Sequence, residues 1–313
     1  MFDFAAIAPN ARYALLGLFA LLVFASVIVF VLTRVSPEKD HQELILRMKS
    51  WWVMVTVFAL AILLHRDVSI WFLALVSFLA LKEYLSLIST RRADRRVMFW
   101  AYLSIPVQYY WITIAWYGMF IIFIPVYMFL FLPLRMVLIG QTEGFLKAAG
   151  TLHWGLMMTV FSLSHAAYLL VLPAQGSPAG GAGLVLYLLF LTQINDVAQY
   201  VWGKLFGKHP VIPKISPNKT REGLLGGVVT TVFLSWVIAP WLTPLESFES
   251  LWIGLMIGCF GFIGDVTVSS VKRDLNIKDS GQMLPGHGGI LDRVDSLTYT
   301  APLFFHALVY LHY

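Results

Sequence analysis

The sequence predicts an all-α polytopic membrane protein of about ten (nine to ten) transmembrane helices, with a polar, cytosol-facing site in its C-terminal half. Three observations carry this. Of 313 residues, 59% are hydrophobic and only 12% charged, with mean hydropathy +0.76, whereas soluble domains run to about 25% charged. Such a residue set cannot furnish a water-exposed surface of ordinary size. The apolar residues also gather into runs of spanning length, and the basic residues collect in alternate loops.

A span needs about 20 mainly apolar residues. Candidates fall near 13–33, 50–65, 68–89, 97–116, 119–140, 150–172, 183–203, 223–243, 250–272 and 296–312. The second is short and the 97–140 region divides poorly, so nine is the alternative count. The first has no basic region ahead of it and no small-residue cleavage site, and reads as a retained span. Alternate loops hold Arg34, Lys39, Arg47 and Lys49; Arg91, Arg92, Arg95 and Arg96; Arg135 and Lys147; Lys204, Lys208, Lys214, Lys219 and Arg221; and Lys272, Arg273, Lys278 and Arg293. That places 19 of the 22 basic residues on one side, which the positive-inside rule assigns to the cytosol. The chain divides into N-terminal transmembrane helices, 1–180, and a C-terminal catalytic region, 181–313, with cytosolic loops 204–222 and 273–295.

The net charge of +5 reflects this orientation bias and attraction to anionic lipid heads. No pattern of nucleic-acid recognition accompanies it. The lone cysteine, Cys259, excludes a disulfide framework and a Cys-based zinc site.

Three polar clusters interrupt the apolar background. In QINDVAQYVWGK (193–204), Asp196, Gln199, Tyr200 and Gly203 fall at helical spacing and share a face. A carboxylate inside a span is a functional hypothesis by default; the plainer reading pairs it with a neighbouring helix. In HPVIPKISPNKTREGLLGG (209–227), Ser216 and Pro217 are turn chemistry, and Thr220 with Glu222 and Gly223 opens the next helix. That helix start suits an anion, with Lys219 and Arg221 beside it, although a merely basic loop would look much the same.

In GFIGDVTVSSVKR (261–273), Asp265, Ser269 and Lys272 lie on one stripe. Gly258, Gly261 and Gly264 form a small-residue strip for close helix approach. KDSGQMLPGHGGILDRVDSL (278–297) then brings Lys278, Asp279, His287, Asp292, Arg293 and Asp295, with Gly288 and Gly289 as backbone able to approach phosphates. Asp, Lys, Arg and Gly without cysteine fit Mg²⁺ holding a polyphosphate better than zinc. The chemistry most consistent with this is phosphoryl or nucleotidyl transfer at the membrane face.

The pattern S-x-V-K-R-x4-K-D-x-G-x2-L-P-x-H-G-G-x2-D-R-x-D, Ser269 to Asp295, resembles the signature of the phosphatidate cytidylyltransferases (CDP-diacylglycerol synthases) without a gap. Upstream, D-x-x-x-Y-x-x-G (Asp196, Tyr200, Gly203) and S-P-x-K-T-x-E-G-x-x-G-G (Ser216 to Gly227) follow the same order. The resemblance implies CTP + phosphatidate → CDP-diacylglycerol + diphosphate, in phospholipid synthesis at a bacterial inner (cytoplasmic) membrane. It implies Asp265 and Asp292 as metal-binding carboxylates for Mg²⁺, with K⁺ beside it. Lys219, Lys272 and Arg273 would face phosphates, and His287, Gly288 and Gly289 would surround the nucleotide. The implied partners are CTP, phosphatidate and membrane lipids, not nucleic acid, with a homodimer left open.

Two departures keep alternatives open. Val268 stands where a Glu is common, and Val-Ala-Gln-Tyr follows Asp196 where many relatives read Thr-Gly-Ala-Tyr. A paralogue using another nucleotide, such as a sugar nucleotide, or another lipid phosphate would fit. An ion-coupled transporter, the reading from a different class, should show repeat symmetry and mid-membrane charge; here the polar loops cluster on one side. His153 and His165 are read as helix–helix hydrogen-bonding groups, and Lys82 and Glu83 as side chains snorkelling to headgroups.

Overall fold

The computed structural model describes residues 8–36, 38, 40–88, 91, 94–173, 176–277, 279–281, 283 and 288–313. The chain is an all-α polytopic membrane protein. Among the described residues the helices are α1 (Pro9–Val35), α2 (Gln42–Leu64), α3 (Arg66–Leu87), α4 (Arg95–Thr113), α5 (Tyr117–Ile122), α6 (Phe129–Val137), α7 (Phe145–Leu156), α8 (Ser162–Tyr168), α9 (Gly180–Phe206), α10 (Arg221–Leu242), α11 (Ser247–Asp274), α12 (Leu291–Val294) and α13 (Leu297–His312). π-helical turns at Phe123–Met128 and Met157–Phe161 join α5 to α6 and α7 to α8, so Tyr117–Val137 and Phe145–Val171 each run as one rod.

Every predicted span lies on one of these rods. Eight are long and apolar enough to cross a membrane. The other two are α4, which opens on Arg95 and Arg96 and carries Gln108 and three tyrosines, and α13, which is only 16 residues long. The ambiguous 97–140 region breaks at Ile114–Trp116, where Ala115 takes a positive φ of 53°. The second span is longer than its apolar run: α2 extends back to Gln42, and Glu43 and Arg47 pair along its first turns. Charged side chains at a helix end keep their heads in water and so do not stop the helix.

α9 and α10 pack most extensively, followed by α10 with α11, then α11 with α13 and α13 with α8. α1 lies at the margin, burying only Ala11, Leu15 and Leu22. The core holds Tyr109, Phe120, Tyr187, Phe304 and Phe305, all fully buried, so the N- and C-terminal segments share one interior. Buried polar side chains join the rods. Asn195 donates to the Gly258 carbonyl (3.2 Å) and accepts from Thr231 (3.0 Å); Thr192 bonds Thr300 across α9 and α13 (3.0 Å). In a bilayer such bonds and close packing replace the water-driven attraction between helices.

Among the described residues His165 makes no hydrogen bond to another helix. Its Nδ1 bonds the Phe161 carbonyl of its own rod (2.8 Å), and its ring packs against Phe120, Phe305 and His306. His153 likewise sets its ring edge-on to Phe129.

The 209–227 loop is not all turn. Pro210–Ile212 (β1) pairs antiparallel with Ser216–Thr220 (β2). Thr220 then caps α10, its hydroxyl accepting from the Gly223 N–H (3.2 Å).

Candidate active site

Five chain segments meet at one end of the bundle: the end of α3, the end of α9, the β1–β2 hairpin, the end of α11, and the stretch leading through α12 into α13. The glycine strip of α11 makes the meeting possible. A Cβ on Gly258 would stand 3.1 Å from the Val228 Cα of α10, and one on Gly261 3.0 Å from the Asn195 amide of α9. A Cβ on Gly264 would stand 2.6 Å from the Asp295 carbonyl and 3.1 Å from the Ser296 Cα. One strip therefore serves three neighbours. Backbone cannot yield as a side-chain tip can, so Gly264→Ala should lower stability by about 1–3 kcal/mol. Thermal unfolding in detergent measures this, and an unchanged midpoint would disprove the close approach.

Asp265, held at this seam, is ion-paired with Lys219 of β2 and accepts from Ser269 Oγ (3.2 Å) one turn later. The Lys219 ammonium also lies over the Phe262 ring, 4.9 Å from its centroid. One turn beyond Ser269, Lys272 donates to Asp292 Oδ1 (2.7 Å). The predicted stripe of Asp265, Ser269 and Lys272 thus acts as one face. Asp292 Oδ2 accepts from Ser280 N (2.9 Å) and Gly289 N (3.1 Å), and lies 3.0 Å from Ser280 Oγ, whose single proton it shares with Glu83. Burial alone would raise the Asp292 pKa, but the Lys272 charge and these hydrogen bonds outweigh it and hold the carboxyl below its ordinary value.

Asp196 accepts from the fully buried Ser296 hydroxyl at 3.1 and 3.0 Å. Asp295 is buried and accepts from the Ser296 N–H (2.8 Å). Its pKa is raised well above the usual value, first by burial and then by the charges of Asp265 and Asp196, with Lys272 opposing. The carboxylates of α9, α11 and the α12–α13 junction are therefore electrostatic neighbours. Gly288 has φ +78°, and a Cβ there would stand 2.6 Å from Asp292 Oδ2, so this position demands glycine twice over.

Other predicted residues are placed differently. Arg273 is exposed and donates to the carbonyls of Ile215 (3.0 Å) and Ile277 (3.2 Å), clamping the hairpin turn to the end of α11. Ser216 pairs with Ile212 in the hairpin. Asp279 is exposed beside Gly288. Arg293 is part-buried, with its Nε lacking a hydrogen-bond partner among the described residues. The shared face on α9 splits: Gln199 and Gly203 press on α10, while Tyr200 is 62% exposed. Lys278 and His287 lie outside the described residues. Val268 is 1% exposed and belongs to the apolar core, so its departure from the family pattern leaves no gap among the carboxylates.

Glu83 was read from sequence as snorkelling, and the structure overturns this. It is only 8% exposed, and it accepts from Ser280 Oγ (3.1 Å), Ile290 N (2.9 Å) and Leu291 N (2.8 Å). Periodicity held a signal for it, because Glu83 stands three residues after Ala80 on the buried stripe of Leu73, Ser77 and Ala80. Lys82 beside it is exposed.

No three His, Cys, Asp or Glu side chains among the described residues are grouped so as to hold a metal by themselves. The donor set still suits Mg²⁺, which commonly takes one or two carboxylates and completes its shell with water and substrate phosphates. Asp265 and Asp292 each already face a cation, the ammonium of a lysine.

The model of the cytidylyltransferase family matches residues 45–311. The chain belongs to the cytidylyltransferase family. Membership carries the reaction class of a nucleotidyltransferase. This cytidylyltransferase is 49% identical over 300 residues to the Escherichia coli (strain K12) protein YnbB, described as uncharacterized, covering 96% of this chain and 99% of that protein. It is 44% identical over 131 residues to the phosphatidate cytidylyltransferase of Mycobacterium leprae, covering 40% of each chain. With that of Staphylococcus saprophyticus the identity is 39% over 131 residues, covering 39% of this chain and 48% of the other. The likeness to the phosphatidate cytidylyltransferases thus spans less than half of their length.

Proposed function

We propose that this cytidylyltransferase joins CTP to phosphatidate, releasing diphosphate and forming CDP-diacylglycerol for phospholipid synthesis. The observation that carries this is the pair of acid–lysine contacts, Lys219–Asp265 and Lys272–Asp292, set at one end of a membrane-embedded bundle. A phosphate oxygen of the lipid attacks the α-phosphorus of CTP. A new P–O bond forms, the bridging bond to the β-phosphorus breaks, and diphosphate leaves with that electron pair. No protein nucleophile is needed, and positioning with charge neutralisation does most of the work.

Each lysine ammonium is a donor that can turn from its carboxylate to an arriving phosphate. Lys219 is carried by a hairpin that Arg273 bonds to the end of α11, and Lys272 by a helix that continues to Asp274, so both are presented from hydrogen-bonded backbone. Asp265 and Asp292 would hold Mg²⁺, which when bound supplies charge neutralisation between the two anionic substrates. A K⁺ beside it remains part of this proposal. The loop-charge bias supports a site facing the cytosol, on this reading at a bacterial inner membrane, where a water-soluble triphosphate meets a lipid phosphate at headgroup depth.

The test is conversion of labelled CTP and phosphatidate by the purified protein with Mg²⁺, read as CDP-lipid and diphosphate. Formation of both products is expected. Product from another nucleotide or another lipid phosphate, with none from this pair, would replace the substrate assignment.

A further inference from the structure

The 280–291 sequence carries much of the polar pattern that marks this site, and one carboxylate ties Ser280, Ile290 and Leu291 to the N-terminal half. Glu83 sits near the end of α3, and three donors converge on it across the chain: Ser280 Oγ, Ile290 N and Leu291 N. The fit is close, since a Cβ on Gly289 would stand 2.3 Å from Glu83 Oε2, and one on Gly281 3.0 Å from Oε1. Tyr84, the next residue, anchors this end of α3 through its hydroxyl to the Thr151 carbonyl of α7 (2.9 Å).

No cation pairs with Glu83 among the described ion pairs. A buried carboxylate without a cation is costly unless hydrogen bonds satisfy it. Here the satisfying donors are the Ser280 hydroxyl and the Ile290 and Leu291 amides, so the charge holds those residues in place. Ser280 Oγ also lies 3.0 Å from Asp292 Oδ2, the oxygen that accepts from Ser280 N and Gly289 N. Glu83 and Asp292 thus hold Ser280 on one side and Gly289 to Leu291 on the other, and share the single proton of the Ser280 hydroxyl. Ligands of a reacting site must be held to a fraction of an ångström by the groups behind them.

We propose that Glu83 is a positioning residue of this site, fastening Ser280, Ile290 and Leu291 so that Asp292 is held facing Lys272. The role in turnover rests on the cytidylyl-transfer reading above; the fastening does not. Glu83→Gln keeps the shape but offers one acceptor oxygen and an N–H₂ group to three donors. Glu83→Asp keeps the charge on a shorter arm.

The experiment compares the full-length wild type with both variants, reading amide hydrogen exchange and steady-state kinetics with CTP and phosphatidate. In Glu83→Gln the Ile290 and Leu291 amides should exchange about tenfold or more faster, while α9 and α10 keep their protection. Its kcat should fall about tenfold with a smaller change in KM, and Glu83→Asp should recover part of both. Unchanged exchange at Ile290 and Leu291 would overturn the proposal, as would wild-type kcat alongside lost protection. If Glu83→Gln loses protection throughout, Glu83→Asp must restore both readouts, or the residue is merely structural. If the wild type makes no CDP-lipid, the substrate reading fails and the exchange arm alone decides this one.

Discussion

Exchange of Asp265 or Asp292 for asparagine should lower CDP-lipid formation by about a thousandfold. The amide is the same size as the carboxylate but carries no charge and is a weak ligand for a hard dication. Asp265→Asn is the cleaner variant, because Asp265 faces only Lys219 and Ser269 Oγ among its described hydrogen bonds, and its fold should persist. Asp292→Asn has a second consequence. Its Oδ2 collects two backbone N–H donors and a share of the Ser280 hydroxyl proton, and its Oδ1 the Lys272 ammonium, so an N–H₂ group placed at either end meets a donor. A stability loss of about 1–3 kcal/mol should accompany the lost activity. Turnover with purified variants measures the first effect and thermal unfolding the second. Full activity in either variant would remove these carboxylates from the mechanism.

Lys272→Met should destabilise the protein by about 3 kcal/mol, because it strands a buried anion. The side chains of Lys272 and Asp292 are 12% and 4% exposed, so water cannot easily replace the lost partner. The remaining donors to Asp292 soften the loss and keep it at the lower end of what broken buried pairs show. Adding Asp292→Asn to Lys272→Met removes the stranded charge and should recover part of the stability. The double variant is the informative measurement, since coupling between the two changes isolates the pair. Additive losses would mean that the two side chains act independently.

Much of this protein was readable from its sequence because the bilayer imposes a coarse grammar. Apolar runs located every rod, and the stripe of Asp265, Ser269 and Lys272 reached the site on one face as its spacing implied. The strip of Gly258, Gly261 and Gly264 was legible as a close-packing surface, though not that it serves three partners. What stayed hidden depended on partners distant in the chain. Glu83 meets residues about 200 positions away, and local hydropathy at a helix end cannot separate a snorkelling carboxylate from a buried one. The hairpin was hidden by Pro210, Pro213 and Pro217, which argue against strand. Tyr200 shares a helical face with Asp196 by spacing, yet the seam with α10 is formed by Gln199 and Gly203 and leaves the tyrosine outside.

That seam has a consequence for the protein's response to its lipid. α10 presents Gly223, Gly226 and Gly227 to the side chains and backbone of α9, while Gly254 and Gly258 of α11 close on its other side. With backbone against backbone on both flanks, these three helices have little room to slide or splay. A bilayer thicker or thinner than their apolar length is then met by tilting the group as one body. The spacing of Asp196, Lys219 and Asp265 should be indifferent to acyl-chain length in the host membrane.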